Sequence, residues 1–305
     1  MKKKGSPLLR DLRENRTKWL MLVPAAVVVI LMCYIPMSGI VLAFKAYNYH
    51  DGIFGSPWVG LENFRYFFQS GKAWTTTRNT VLYNIAFLCV NTFLQIVCAV
   101  LLSELAGKYF KRITQSVMFL PYFISWVVVG AFIYNMFNFE FGAVNSFLRS
   151  VGLAPVDVYS NKNAWPVILI VVSAFKNVGY GTVMYLASIV NIDGQLFEAA
   201  DLDGATMWQK IWHITLPGVK GTIVILFIMQ IGKMMSVGSE KILLLYNPST
   251  YSTADVISTY VDRKGLLDQD YSYSTAVNLF NSVINFVLVF LANTLSRKLT
   301  ETSLF

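Results

Sequence analysis

The 305-residue sequence is poor in charged residues and in the residue types that build metal and redox sites. Charged residues make up 14% of the chain and hydrophobic residues 55%, whereas an average soluble domain is about 25% charged and about 45–50% apolar. The three cysteines are odd in number and lie within apolar runs, which argues against a disulfide framework or a zinc site. The two histidines, His50 and His213, stand in different loops and cannot share a metal ion.

Two further absences bear on energy and partners. The sequence holds no Gly-x-x-x-x-Gly-Lys-Ser/Thr phosphate-binding loop, so we expect neither ATP nor another cofactor to bind this chain. Its net charge of +8 is spread between apolar runs instead of forming one basic patch, which argues against a nucleic-acid partner. No internal repeat and no low-complexity linker divides the sequence, so one membrane domain accounts for it.

The sequence is rich in long apolar stretches. A membrane helix needs about 20 mostly apolar residues, and six stretches qualify: 19–44, 80–105, 113–138, 165–190, 218–243 and 273–295. They predict an all-α integral membrane protein of six transmembrane helices in contact with lipid. Basic residues precede the first stretch as in a signal peptide. That stretch is longer than the roughly 7–15 apolar residues of such a peptide, so we expect it to remain as a membrane helix.

The loops between the spans predict an orientation. Lys and Arg favour the cytosolic side of a membrane. They are more frequent in the segments on the side of the N-terminus than in the longer loops on the other side, so we place both termini in the cytosol. The predicted organisation is a basic cytosolic tail (1–18), a first membrane helix (19–44), an extracellular loop (45–79), a core of five membrane helices (80–295) with a cytosolic loop at 191–217, and a cytosolic tail (296–305).

The loop at 191–217, called the EAA segment below, has an unusual composition. Its pattern predicts two short helices joined near Gly204, with Asp193 as the N-cap of the first and Pro217 at the start of the fifth span. Several of its side chains are too apolar for a solvated loop, namely Phe197, Met207, Trp208, Ile211 and Trp212. We therefore expect a protein partner or the membrane surface to cover it.

Residues 198–217 of the EAA segment carry a motif of defined spacing. Glu198-Ala199-Ala200 is followed by Gly204 and then by Ile214, Leu216 and Pro217, without a gap. This pattern resembles the EAA motif of permease subunits of bacterial ATP-binding-cassette importers. The resemblance implies the type I importer permease fold, and it implies that a separate ATPase binds ATP and Mg and docks on this segment. By position, the implied coupling residues are Glu198, Ala199, Ala200, Asp203, Gly204, Ile214, Leu216 and Pro217.

The resemblance also implies individual roles in coupling. Glu198 would pair with a basic group of the ATPase, and Ala199 and Ala200 would permit close docking. Gly204 would make the turn between the two helices. Leu216-Pro217 would fix the start of the next helix.

Weaker similarities extend over most of the chain. The stretches 175–180, 237–241, 256–260 and 279–285 are similar to carbohydrate importers, and together they resemble the LplB-like branch of oligosaccharide and polysaccharide-fragment permeases. In that branch a permease pairs with a second, related permease, an extracellular sugar-binding lipoprotein delivers cargo, and two ATPase copies drive the cycle. The resemblance therefore implies a transport subunit in the bacterial plasma membrane and not an enzyme.

An oligosaccharide needs hydrogen-bond partners and flat apolar faces, and three predicted spans offer both. The candidate residues of the substrate path are Trp126, Tyr134 and Asn135 in the third span, Lys176, Asn177 and Tyr180 in the fourth, and Gln230 and Lys233 in the fifth. A charge deep in a bilayer is costly unless it faces a cavity or a partner. If both lysines line the path, acidic sugars such as uronate oligomers become attractive cargo.

Alternatives stay open for the lysines and for the function. Lys176 could instead snorkel or pair structurally, and Lys233 could form an interhelical hydrogen bond or meet a carboxylate of the partner permease. The chain could belong to the same family and carry peptides or amino acids. An ion-coupled secondary transporter usually shows an internal inverted repeat, and a membrane enzyme needs a catalytic constellation. We find neither in the sequence.

Overall fold

The computed structural model describes residues 15–232 and 239–300. Within these ranges the chain is helical apart from loops and an isolated bridge between Lys45 and Trp58. The helices are α1 (Arg16–Phe44), α2 (Gly52–Gly55), α3 (Glu62–Gln69), α4 (Lys72–Glu104), α5 (Lys108–Phe119), α6 (Trp126–Phe137), α7 (Ala143–Ser150), α8 (Trp165–Val190), α9 (Gly194–Leu202), α10 (Met207–Lys210), α11 (Leu216–Gly232), α12 (Ser239–Leu245), α13 (Tyr251–Ala254), α14 (Ile257–Asp262) and α15 (Tyr271–Thr300).

Four of these helices are long and apolar enough to cross a membrane by themselves: α1, α4, α8 and the part of α15 up to Leu291. They correspond to the first, second, fourth and sixth predicted spans. The pair α5–α6 makes a fifth crossing if it is counted as one bent span. The remaining predicted span, 218–243, falls on α11, on α12 and on residues outside the described ranges. The helices therefore confirm an all-α membrane protein and are compatible with six spans.

The third predicted span differs from the expectation of one straight helix. α5 and α6 meet at an angle of 95°, across a 3₁₀ turn at Leu120–Phe123. Pro121 has no N–H and cannot continue the α-helical ladder. Ser125 then starts α6 as an N-cap, because its hydroxyl accepts a hydrogen bond from the N–H of Val128 at 3.3 Å. Hydropathy alone does not detect this break, because it lies within the predicted apolar stretch 113–138.

Helices α4 and α8 form the centre of the molecule and run in the same direction. The side-chain amide of Gln95 donates to the Asn177 carbonyl (3.2 Å), and the Thr182 hydroxyl donates to the Gln95 carbonyl (3.4 Å). The first half of α4 packs against the first half of α8, and the last turns of α4 pack against the last turns of α8. Only parallel helices make contacts in this order. The bent pair α5–α6 therefore carries the chain back from the end of α4 to the start of α8.

Three clusters of buried side chains hold the bundle together, and packing of this kind is what associates helices within a bilayer. The first joins α4, α6, α8 and α12, the second joins the last turns of α4 and α8 to the start of α11, and the third joins α3, α4, α14 and α15. Their main members are Tyr83, Phe87, Ile133, Trp165 and Ile242; Ala99, Leu102, Tyr185, Ile189, Ile211 and Val219; and Phe67, Ile257, Tyr260, Tyr273 and Val277.

The segment 45–79, predicted as a loop, is partly helical. It contains α2 and α3, and α4 already begins at Lys72. This early start allows α4 to bind the segment before α14: Asn79 donates to the Asp255 carbonyl (3.0 Å), and Tyr83 donates to the Thr253 carbonyl (2.9 Å). These contacts lie at the end of the bundle opposite the EAA segment.

Candidate functional site

The EAA segment folds as two short helices joined at Gly204, as the sequence predicts. The Asp193 carboxylate accepts a hydrogen bond from the N–H of Gln195 (3.0 Å) and caps α9. At its other end, Ala205 N–H bonds the Ala200 carbonyl (2.9 Å), and Gly204 N–H bonds the Asp201 carbonyl (3.1 Å). This is a Schellman C-cap, whose left-handed residue favours glycine, and Gly204 has a φ of +73°.

The second helix of the segment continues into the fifth span. Thr206 and Gln209 form a capping box at the start of α10, and a π-helical turn, Ile211–Thr215, links α10 directly to α11. Leu216 and Pro217 lie at the start of α11, but they follow a helix instead of a loop. Because a proline lacks an N–H, Pro217 cannot donate an α-helical hydrogen bond to the preceding turn. The irregular π-helical turn lies at this position. α10, the π-helical turn and α11 therefore form one continuous helical segment.

The surface of the EAA segment combines apolar side chains with a free carboxylate. The exposed apolar residues are Leu196, Leu202, Met207, Trp208 and Trp212, and Leu202 is 90% exposed. Glu198 is exposed and makes no hydrogen bond or ion pair with any described residue. Asp201 forms an ion pair with Lys210 (2.7 Å), which ties α9 to α10. That bond to Asp201 raises the pKa of Lys210.

A shallow cavity of about 290 Å³ lies between the two helices of the segment. Ala200, Asp203, Gly204 and Ile214 line it, so it brings together half of the predicted coupling residues. Of the rest, Ala199 and Pro217 are exposed and Leu216 is half-buried. His213 bonds the Gln209 carbonyl through Nδ1 (2.9 Å).

A second cavity, of about 230 Å³, lies among α4, α8, α11 and α12 and is called the amide cavity below. Three predicted path residues meet there: Asn177, Tyr180 and Gln230. The other lining residues are Asn84, Phe87, Leu88, Asn91, Gln95, Ser173 and Lys241. Five carboxamides beside two aromatic rings provide both donors and acceptors for hydroxyl groups, and the Asn91 carboxamide oxygen is buried without a hydrogen-bond partner among the described residues.

Most residues of the amide cavity are not among those that the sequence predicts for the substrate path. Asn84, Asn91 and Gln95 were detectable, because their spacing places all three on one face of the second predicted span. Lys241 lies in the stretch 237–241, for which the sequence indicates a similarity to carbohydrate importers but no role in the substrate path. Its side chain is buried, with Nζ 3.4 Å from the Ser173 hydroxyl and 3.4 Å from the centre of the Phe87 ring.

Lys176 does not line the amide cavity. Its ammonium group bonds the carbonyls of Tyr122 (2.8 Å), Ile124 and Pro121 (3.5 Å), at the break between α5 and α6. Helix ends leave carbonyls without intrahelical partners, and Lys176 supplies a donor to them from α8. The Trp126 ring lies 5.3 Å from the same ammonium group. These contacts favour the structural alternative for Lys176, and they place Trp126 with it.

The other predicted path residues lie apart from the amide cavity. Tyr134 lines a wider cavity of about 820 Å³ at the end opposite the EAA segment, together with Tyr159 and Tyr246. Asn135 is exposed and bonds the Ala131 carbonyl of its own helix (2.9 Å). Lys233 lies outside the described residues.

Comparisons with known proteins agree on one family. Residues 91–301 match the family described as binding-protein-dependent transport system inner membrane component. The chain is 32% identical over 302 residues to protein LplB of Bacillus subtilis (strain 168), covering 99% of this chain and 95% of LplB. It is 34% identical over 304 residues to the polygalacturonan/rhamnogalacturonan transport system permease protein YteP of the same organism, covering 100% of this chain and 95% of YteP.

Solved structures extend the agreement to the fold. A bacterial ABC transporter involved in the import of the acidic polysaccharide alginate matches with a TM-score of 0.88 at 35% identity, over 96% of this chain and 99% of that chain. A bacterial alginate ABC transporter in complex with an alginate pentasaccharide-bound periplasmic protein matches with a TM-score of 0.89 at 34% identity, over 97% and 99%.

The matched region, 91–301, contains the EAA segment and most of the amide cavity. An ion-coupled secondary transporter and a membrane enzyme, the two rivals from outside the family, are therefore set aside. The chain belongs to the inner membrane components of binding-protein-dependent transport systems and is a multi-pass permease subunit of an ABC importer.

Proposed function

We propose that this chain imports oligosaccharides as one half of a pore formed with a second, related permease. An extracellular sugar-binding lipoprotein delivers the cargo. Two ATPase subunits, which bind ATP and Mg, drive alternating access from the cytosolic side, where the EAA segment and both termini lie. One observation carries the proposal: α8 and α11 both line the amide cavity, and α8 ends where the EAA segment begins while α11 starts where it ends.

The two helices are positioned to move as a unit with the EAA segment. Ile211 and Val219 pack against Tyr185 and Ile189 in the cluster at the end of α8. The hydroxyls of Ser188 on α8 and Thr222 on α11 are hydrogen bonded at 2.8 Å. A displacement of the segment by the ATPase would therefore shift both helices, and with them Asn177 and Gln230 in the cavity.

The ATPase contact is proposed for the exposed apolar surface of the EAA segment. The EAA segment is proposed to lie in the cytosol, where its apolar side chains would not face lipid. An exposed apolar patch in water is typical of a protein interface. Glu198 has no partner within the described chain and would pair with a basic group of the ATPase. Ala199 and Ala200 would allow the ATPase to approach, and Asp203 and Gly204 would form the turn at the contact.

The cargo class is supported by the relatives and by the cavity. The relative YteP is a permease protein of a polygalacturonan/rhamnogalacturonan transport system, and the structurally similar ABC transporter is involved in the import of alginate. Carboxamides such as Asn84 and Asn177 beside the Tyr180 ring offer a sugar both hydrogen bonds and a flat face.

The coupling role is tested with Gly204→Asp in the complete transporter in proteoliposomes. We expect normal insertion and assembly but loss of cargo-stimulated ATP hydrolysis and of uptake, because the substitution puts a charged side chain at the docking turn. Normal stimulation by cargo would contradict the proposed role.

The matched control is Gly152→Asp. Gly152 ends α7 in the same type of cap, with a φ of +77° and open space around a side chain, but it lies away from the EAA segment. The cost of a left-handed non-glycine residue, about 1–2 kcal/mol, is the same in both variants. Only Gly204→Asp should uncouple hydrolysis from transport.

A further inference from the structure

Lys241 is a buried cation that lacks an anionic partner in the described chain. Its side chain is 5% exposed. No carboxylate of the described residues lies within 4.0 Å of its ammonium group, and the neighbouring Glu240 is exposed. Burial of a charge without a partner is strongly unfavourable, and in membrane proteins such residues face a cavity or a functional group.

The immediate neighbours of Lys241 satisfy only part of its hydrogen-bonding capacity. An ammonium group carries three donors. Among the described residues, Lys241 makes one hydrogen bond, to the Ser173 hydroxyl at 3.4 Å, and its ammonium group lies over the face of the Phe87 ring. It also lines the amide cavity. Unused donors are therefore available to a ligand in that cavity.

The other polar groups of the amide cavity suit a hydroxylated ligand. The oxygen of Asn91 is an unpaired acceptor, and Asn84 and Gln230 add further carboxamides. Among the described lining residues, Lys241 is the charged one, and none is acidic. The cavity thus combines one cation with several neutral hydrogen-bonding groups.

We infer that Lys241 binds the carboxylate of an acidic sugar and makes the permease selective for uronate-containing oligosaccharides. This inference rests on the proposed import of oligosaccharides and assigns the selectivity to one residue. The ammonium group would bond the carboxylate, and the carboxamides would bond the ring hydroxyls.

The test is a two-by-two binding experiment with the complete transporter in detergent, without the binding protein. The ligands are a uronate oligosaccharide and the same oligosaccharide with its carboxylates reduced to alcohols. The proteins are the unsubstituted transporter and Lys241→Met. We expect Lys241→Met to weaken binding of the uronate roughly tenfold or more and to weaken binding of the reduced sugar much less, since the ion pair between ammonium and carboxylate is lost only for the uronate.

The outcomes separate the inference from the proposed function. Equal binding of the two sugars by the unsubstituted transporter would overturn the inference, and this readout does not depend on a variant that folds. Equal weakening of both sugars in Lys241→Met would overturn it as well. If neither sugar is bound or imported by the unsubstituted transporter, the oligosaccharide function itself is wrong. Restored selectivity in Lys241→Arg would support the charge-based role.

Discussion

Two buried lysines in this permease have different surroundings. Lys176 is 7% exposed and Lys241 is 5% exposed. Lys176 bonds three backbone carbonyls at the break between α5 and α6, whereas Lys241 has one weak hydrogen bond and faces the amide cavity. A buried charge therefore does not identify a transport site by itself. A buried lysine whose ammonium group bonds several protein acceptors has a structural role, whereas one with few such bonds is available to a ligand.

The local backbone explains why the two lysines differ. The bend at Leu120–Phe123 presents carbonyl groups that a continuous helix would have used. Lys176 reaches these carbonyls from α8. The described helices around Lys241 present side-chain amides and a ring instead, so its ammonium group has no comparable set of carbonyls among the described residues.

The largest effect is expected for Lys176→Met. The substitution leaves the carbonyls of Tyr122 and Ile124 without the ammonium donor, and a buried acceptor without a partner costs about 1–3 kcal/mol. We expect a loss of about 2–4 kcal/mol in stability. The measurement is the midpoint of thermal unfolding of the purified transporter in detergent.

Lys241→Met is the matched control for that experiment. It removes a favourable contact with the Phe87 ring, worth up to about 2 kcal/mol, and also the cost of burying a charge without a carboxylate. The two terms oppose each other, so we expect a much smaller change in the unfolding midpoint. Equal destabilisation by both substitutions would show that the two lysines have the same structural role.

A smaller effect is expected for alanine at two glycines of α8. A Cβ at Gly179 would lie 1.9 Å from the Met118 carbonyl oxygen, so the backbone of α5 must move. A Cβ at Gly181 would meet the side chain of Gln95 at 2.0 Å, which can rotate away. We expect Gly179→Ala to cost about 1–3 kcal/mol, as overpacking commonly does. Gly181→Ala should cost less stability but weaken sugar binding, because Gln95 lines the amide cavity.

Two measurements on the same samples check this pair. The unfolding midpoint reports the packing of α5 on α8, and sugar binding reports the shape of the amide cavity. A larger loss of stability in Gly181→Ala than in Gly179→Ala would contradict the distinction between a rigid and a flexible neighbour.

The EAA segment could be predicted in detail from the sequence because its structure follows from local chemistry. The cap at Asp193 and the left-handed turn at Gly204 depend on nearby residues, so the pattern of the segment contains the information. Four of the predicted spans also match helices, since length and hydropathy are sufficient for those.

The amide cavity could be predicted only in part, because it depends on how separate helices meet. Asn177, Tyr180 and Gln230, which were predicted for the substrate path, line this cavity, but Lys176 and Trp126 lie at a helix break that hydropathy does not show. Lys241 reaches the cavity from α12, and its importance depends on the absence of a carboxylate partner among the described residues. Such an absence is a property of the packed structure.

The smallest effect is expected for a third lysine, Lys210, whose partner Asp201 lies at the surface of the EAA segment. The bond to Asp201 raises the pKa of Lys210 in the folded protein. The stability that this ion pair adds is therefore fully present below the pKa of a lysine in the unfolded chain, about 10.4, and is lost only as the pH rises above that value. We expect Asp201→Asn to leave the unfolding midpoint unchanged between about pH 6 and pH 8, apart from a slight decrease at low salt that screening removes. If Asp201→Asn lowered the unfolding midpoint as much as Lys176→Met, solvent exposure would not weaken the Lys210–Asp201 ion pair. The differences among the three lysines could then not be explained by their exposure to solvent.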